Sequence, residues 1–361
     1  MVEQRAVNSK VGGSSPPSGA ILNIMLVYFF FPFALIFLSS LGIIFSPNWS
    51  LAPFIWVFFI IPIIDNILPN LNQIDKKLKE YNFHNIFLIL VMPCIFLLII
   101  SGLFKVSQDN ISILESVALG AAVGMSGGSI GITSAHELIH RNNKKMRALG
   151  VIILILCFYG HFRIEHIYGH HKHFATKNDP ATARKNENFY FYFARCVISS
   201  IISSWNIEKN ILKKKNLSTL NYKNRMLHYL ISEIILLIIS YMVAGINGIA
   251  FIIFHSLISI ILLELVNYIQ HYGLIRKEIN GKFEKYQEHH SWNSRFSPTN
   301  WSTFNLGLHS EHHQTATKHY PLLSHNKKQM EMPTSYPGML IMALIPPIWF
   351  RIMNSKLKTI K

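Results

Sequence analysis

The chain has 361 residues, half of them apolar, with a formal net charge of +16 and three cysteines. A mean hydropathy of +0.28 and long uncharged runs exclude an ordinary soluble domain, a disordered polyelectrolyte and a disulfide-stapled scaffold. The basic residues are dispersed between apolar runs, not gathered in one stripe. This argues against nucleic acid as partner and for anionic lipid and an acidic protein.

In chain order, residues 1–20 lack a basic start, an apolar core and a small-residue cleavage site, so they read as a disordered tail and not a signal peptide. Met25 is an alternative start, and 21–361 is expected to form a single membrane domain. Apolar runs follow at 21–45, 51–68, 86–104, 111–135, 229–245 and 249–266, several long enough to cross a hydrocarbon core of about 30 Å. They lack the short alternating pattern of barrel strands, and only helices otherwise satisfy their backbone in lipid. The expected fold class is therefore an all-α integral membrane protein with about six transmembrane helices and a cytoplasmic histidine-rich cap. The run at 148–162 is short and ends in Gly160 and His161, which predicts a re-entrant or interfacial helix.

Charge supports an even count of spans. Of the 34 Lys and Arg, 2 precede the first span, 3 lie in 69–85, 16 in 136–228 and 12 after 266, with only Lys105 elsewhere. An odd count would divide the third and fourth groups between opposite sides, against the positive-inside rule. Cys94, Cys157 and Cys196 are isolated and read as small buried hydrophobes. They cannot build an iron–sulfur or rubredoxin-type site, so redox electrons have to come from another protein.

Four segments concentrate histidine: HELIH at 136–140, EHIYGHH at 165–171, NYIQHYG at 267–273 and HSEHH at 309–313. Repeats at three or four residues put imidazoles on one helix face, which is ligand spacing. With six spans, His136, His140, His166, His170, His171, His271, His309, His312 and His313 share one side of the membrane. Nine nitrogens exceed the four positions of a structural zinc and suggest two metals, divided roughly four and five. Imidazole alone leaves iron, zinc, copper and nickel open. Glu137, Glu165, Asp179, Asn267 and Glu311 are candidates for orienting the rings. HELIH also fits the zinc-protease pattern, but that reading leaves seven of the nine histidines without a task. A metal transporter would carry its histidines and acids within the spans. His161 and His173 are not expected to be ligands. His84, His228, His255, His319 and His325 read as ordinary polar side chains.

Taken together, HELIHR, GHFRIEHIYGHHKHFATKNDPAT, NYIQHYGLIR, HHSWNS and HSEHHQTATKHYPLL resemble, in order and spacing, the motifs of the bacterial membrane-bound alkane 1-monooxygenases, relatives of the membrane fatty-acid desaturases. The resemblance runs from about Asp65 to Asn354. It implies a di-iron site on the nine histidines, hydroxylation of the terminal methyl of an alkane, and electrons from rubredoxin and its NADH-dependent reductase. It also implies a multi-pass protein of the bacterial inner membrane. Xylene-type aryl-methyl hydroxylation and fatty-acyl desaturation are alternatives on the same scaffold. Trp56 and Phe58 are candidate channel gates, although packing or lipid-facing roles are the plainer explanation. His289 and His290 fall outside the nine and are assigned to hydrogen bonding or docking, and KNILKKKN at 209–216 to docking or membrane anchoring. Three positions depart from the family pattern: Leu308 stands where arginine is common, Glu311 replaces aspartate, and Asn178 replaces an acidic residue.

Overall fold

The computed structural model describes residues 18–68, 70, 83–325 and 329–358. Residues 18–20 of the expected tail belong to the first helix, because the apolar helical run extends back to Ser18; the rest of that tail lies outside the described residues. Five apolar helical stretches are long enough to cross a membrane: α1 (Ser18–Ile44), α2 (Pro47–Ile67), α3 (Phe83–Val106), α4 (Ile113–Ile139) and a 47-residue stretch, Arg225–His271. The last would be about 70 Å long if straight, more than twice the hydrocarbon thickness.

It is not straight. Ala244 and Gly245 leave the helical region, Gly245 at φ 54° and ψ −136°, a conformation that glycine adopts without steric cost. A Cβ placed on Gly248 would lie 2.0 Å from the Ser240 carbonyl oxygen. Residues eight apart in a continuous helix are about 12 Å apart along the axis, so the chain reverses here and two antiparallel arms stand where two spans are expected. Among the described residues six apolar helical arms are thus long enough to cross, as suits a multi-pass membrane protein.

Between α4 and this hairpin lie three shorter helices: α5 (Lys144–Leu156), a composite α6 over 162–173, and α7 (Phe189–Lys213). At 13 residues, or about 20 Å, α5 is too short to cross, in keeping with the expected interfacial run. The buried positions of α7 (Phe189, Tyr192, Cys196, Ser200, Ser204, Glu208, Leu212) recur every three or four residues. Its outer face exposes Phe191, Ile198 and Ile202. Helix α7 is therefore amphipathic with an apolar outer face, as suits the membrane interface. The hairpin, α8 (Arg225–His271), is tied to α7 by a Glu208–Arg225 ion pair at 2.5 Å.

The packing that places the site is between α4 and the second arm of α8. Added Cβ atoms on Gly120, Gly124 and Gly127 would lie 2.2 Å from the Phe251 carbonyl oxygen, 2.6 Å from that of His255 and 2.4 Å from Ser259 Oγ. This small-residue stripe, repeating every three to four positions, brings two backbones together and sets the end of α4 beside the end of α8. A capping box between Ser112 and Glu115 starts α4. After α8 come α9 (Ser297–Ser302), α10 (His309–Gln314), α11 (Tyr336–Ala343) and α12 (Pro346–Lys358), the last two bent by 120° at their junction. Two short strand pairs brace this region. The antiparallel pair is β1 (Glu278–Ile279) with β2 (Lys282–Phe283), and the parallel pair is β3 (Trp292–Asn293) with β4 (Met330–Glu331).

Candidate metal centre

The nine histidines converge from α4, α6, α8 and α10 into two groups. His136, His140, His166, His171 and His312 form one, and His170, His271, His309 and His313 the other; within each, one nitrogen per ring lies within 4.8 Å of all the rest. In the first, His166 Nε2 is 3.0 Å from both His140 Nε2 and His171 Nε2. In the second, His309 Nε2 is 3.0 Å from His271 Nε2 and 2.9 Å from His313 Nε2.

The local geometry explains the division. Residues Glu165–His170 form a π-helical turn, which stacks positions five apart in place of four. His166 therefore pairs with His171, and His170 faces the second group, where its Nε2 is 3.3 Å from His313 Nε2. In α10, His309 and His313 are one α-turn apart and share the second group, while His312 points to the first. Helix α10 is held from outside: Asn293 Oδ1 accepts the Ser310 N–H at 2.8 Å, and Asn293 Nδ2 donates to Ser310 Oγ at 2.6 Å. Trp292 Nε1 donates to the Tyr272 carbonyl at 2.9 Å, which fixes this strand to the end of α8.

Burial, reinforced by neighbouring imidazoles, holds His140, His166, His171, His309, His312 and His313 well below the usual imidazole pKa. Neutral rings keep a lone pair. His136 Nε2 and His312 Nε2 are buried without a hydrogen-bond partner, their rings 4.4 Å apart. Nine imidazoles with converging nitrogens, two of those nitrogens without a partner, fit a pair of cations and are costly to bury without them.

The outer groups behave differently from one another. Asp179 Oδ2 lies 3.0 Å from His170 Nδ1 and also accepts the Thr182 hydroxyl at 2.6 Å. A carboxylate only accepts, so His170 carries its proton on Nδ1 and turns a bare Nε2 to its group. Glu137 instead takes the Arg141 guanidinium at 2.6 Å and the Tyr320 N–H at 3.0 Å. Glu311 takes Lys318 and the backbone and hydroxyl of Ser324. Both face away from the rings and anchor the chain after α10. Asn267 donates to Glu264 at 3.3 Å. Glu165 lines a small cavity with His166 and His170 but finds no hydrogen-bond partner; burial pushes it up to about 7, against the pull of Ser203 nearby.

Other sequence expectations sort as follows. His290 bonds Glu284 at 3.2 Å with His289 against it, and neither joins the two groups. His255 bonds the Leu156 carbonyl at 3.1 Å, and His84 pairs with His319 at 2.6 Å. Cys196 is more than a buried hydrophobe: its thiol lies 3.0 Å from Glu264 Oε2. Sequence reasoning overlooked Glu264 itself. Its signal was a lone carboxylate inside the apolar run LLELV, where an ionisable group is expensive and rarely idle.

An apolar cleft with about 590 Å³ of empty space lies among α1, α2, α4, α8, α9 and α11. Its wall includes Thr133, one helical turn before His136, and Leu306, three residues before His309. Trp56 lines it. Phe58 does not; it packs against the apolar cluster of α8, α11 and α12. Leu308 is 2% exposed, while Asn178 is at the surface.

Apolar spans carrying, at one end, two all-histidine groups able to hold metal define a membrane enzyme of the desaturase type, and the fatty acid desaturase family model matches residues 115–339. Within that family the chain belongs to the alkane 1-monooxygenases. It is 31% identical over 340 residues to alkane 1-monooxygenase 2 of Pseudomonas aeruginosa, covering 89% of this chain and 90% of that one. It is 32% identical over 332 residues to alkane 1-monooxygenase of Acinetobacter baylyi, covering 87% and 80%. The xylene/toluene monooxygenase hydroxylase component of Pseudomonas putida is 27% identical over 223 residues, covering 60% and 58%.

Proposed function

We propose that this chain inserts one oxygen atom of dioxygen into the terminal C–H bond of a medium-length alkane, giving the primary alcohol. The observation that carries this reading is an apolar cleft whose wall includes residues three positions before a histidine of each group, Thr133 before His136 and Leu306 before His309. His136, His140, His166, His171 and His312 would hold one iron, and His170, His271, His309 and His313 the other. When bound, two irons supply the activation of dioxygen with two electrons.

The chain's own task is to bind, orient and keep the site dry. The hydroxyls of Thr133, Ser302 and Thr303 donate to carbonyls one turn back, at 2.7, 2.8 and 2.8 Å, so the cleft meets a substrate with carbon. A cleft without charged side chains in its wall aligns a chain by shape, and its terminal carbon is the part that approaches the histidines. The electron donor in this reading is a small acidic carrier of the rubredoxin type, served by an NADH-dependent reductase. It would dock where exposed Lys185 and Lys277 flank His289 and His290. From there the His290, Tyr286 and His313 rings follow at 6.0 and 5.9 Å. The distribution of Lys and Arg supports a bacterial inner membrane with the histidine groups on the cytoplasmic side.

The test is oxidation of octane by resting cells carrying the chain, a rubredoxin and its reductase. The expected product is 1-octanol, abolished by His312→Ala. The xylene/toluene relative makes aryl-methyl oxidation the second reading, which benzylic alcohol from xylene without 1-octanol would establish; an alkene product would point to desaturation.

A further inference from the structure

We infer that protons reach the histidine groups through a polar chamber on the far side of the second arm of α8 from the apolar cleft, with Glu264 as the relay. The inference rests on the monooxygenase reading above. In that reaction a C–H bond breaks and C–O and O–H bonds form at one oxygen, while the other oxygen leaves as water. Two electrons come from the carrier protein and two protons from bulk solvent, and the mainly apolar cleft is suited to the substrate and not to carrying protons.

The second arm of α8 separates two environments. Leu262 and Val266, one turn apart, line the cleft; Glu264 and Asn267 lie on the opposite face and line a chamber with about 300 Å³ of empty space. That chamber contains His166 from one histidine group and His170 from the other. Glu264 is 2% exposed and is met from two segments: by the Tyr159 hydroxyl at 2.8 Å, and from α7 by the Tyr192 hydroxyl at 3.2 Å and the Cys196 thiol at 3.0 Å.

A line of exchangeable groups leads outward from it. Tyr159 and Ser200 both line the chamber, the Tyr159 and His161 rings are 4.3 Å apart, and Ser200 Oγ is 3.2 Å from His161 Nε2. His161 and Tyr159 line a second cavity, with about 660 Å³ of empty space, bounded by Glu233 and by residues of α7 and the first arm of α8. The path from this cavity to the chamber thus runs from His161 to Ser200 by one hydrogen bond, across the chamber wall that Ser200 shares with Tyr159, and from Tyr159 to Glu264 by another. A proton entering at His161 displaces one along the line, and Glu264 releases one into the chamber beside both histidine groups. A purely structural carboxylate requires neither the chamber nor the outer cavity.

The test compares the full-length wild type with Glu264→Gln and His161→Gln in vesicles, supplied with octane, rubredoxin and reductase. The proposal expects both variants to keep wild-type iron content. It also expects them to form less alcohol per electron consumed, release more hydrogen peroxide and show a larger solvent deuterium isotope effect on alcohol formation. An independent readout uses the metal-free chain. The Cys196 S–H infrared band, assigned with Cys196→Ala, exchanges to S–D quickly in the wild type and slowly in His161→Gln. Unchanged coupling and isotope effect in Glu264→Gln, or unchanged thiol exchange in His161→Gln, overturns the relay; loss of iron in Glu264→Gln assigns that residue to scaffolding and overturns it too. A wild type that binds iron but oxidises no alkane, aryl-methyl compound or acyl chain is a different failure, that of the monooxygenase reading.

Discussion

His170 shows how much one residue's surroundings decide. Its neighbour His171 faces the other histidine group, and only the Asp179 carboxylate on Nδ1 fixes which nitrogen of His170 is free to bind. Asp179→Asn keeps the shape but can offer its NH2 to Nδ1, which favours the wrong tautomer. The expected result is a loss of metal affinity of about 10- to 100-fold, measured by competition with a chelator, with the fold intact by circular dichroism. Glu311→Gln is expected to change affinity far less, since its carboxylate serves Lys318 and Ser324. The identity of the nine histidines was legible from spacing, because side chains three to five residues apart meet on any helical turn. Their allocation was not. It depends on a π-turn at 165–170 that no residue pattern announces, and on contacts between α6 and α10 some 140 residues apart. Glu137 and Glu311 were misread for a related reason: proximity in sequence to a histidine does not set the direction of a carboxylate.

At the scale of elements, the histidine groups depend on how closely α4 approaches α8. The Gly120, Gly124 and Gly127 stripe was visible in the sequence as small residues, and its meaning follows from the backbone atoms it faces. A methyl on Gly124 would fall 2.6 Å from the His255 carbonyl oxygen, part of a helix backbone that cannot rotate aside. Gly124→Ala is therefore expected to destabilise the protein by about 1–3 kcal/mol, the usual cost of overpacking, and to weaken metal retention by spreading His136 from His271. Gly131→Ala is the control, because its added Cβ has nothing closer than 3.4 Å. Thermal unfolding in detergent should show a lower Tm for the first and little change for the second; equal effects would mean that helix approach is not what the stripe provides. The six spans were legible from apolar runs, and so was the short α5. So was the sharp turn of α8, which falls at the end of the first of two separate apolar runs, 229–245 and 249–266.

On the scale of the whole molecule, the membrane domain holds a cluster of neutral imidazoles that water would readily protonate. Six of them, in α6, α10 and at His140, have folded pKa values well below the unfolded value near 6.5, chiefly through burial. Between those depressed values and 6.5 the unfolded chain binds protons that the folded chain does not, so acidification favours unfolding. Each such group contributes about 1.4 kcal/mol per pH unit across its window. The metal-free protein should thus be most stable above about pH 6.5 and lose stability steadily as the pH falls below it. Metal binding adds to this, because ions that bind only the folded state stabilise it by about 2.7 kcal/mol per site at a hundredfold excess over Kd. Protons and metal compete for the same lone pairs, so the stabilisation by iron should itself shrink as the pH drops. Unfolding temperatures of metal-free and iron-loaded protein, followed from pH 8 to pH 5, should fall on both curves and draw together at the acidic end. A metal-free curve that is flat across this range would show that the rings take up protons as readily folded as unfolded, and so contradict the neutral, cation-ready cluster on which the functional reading depends.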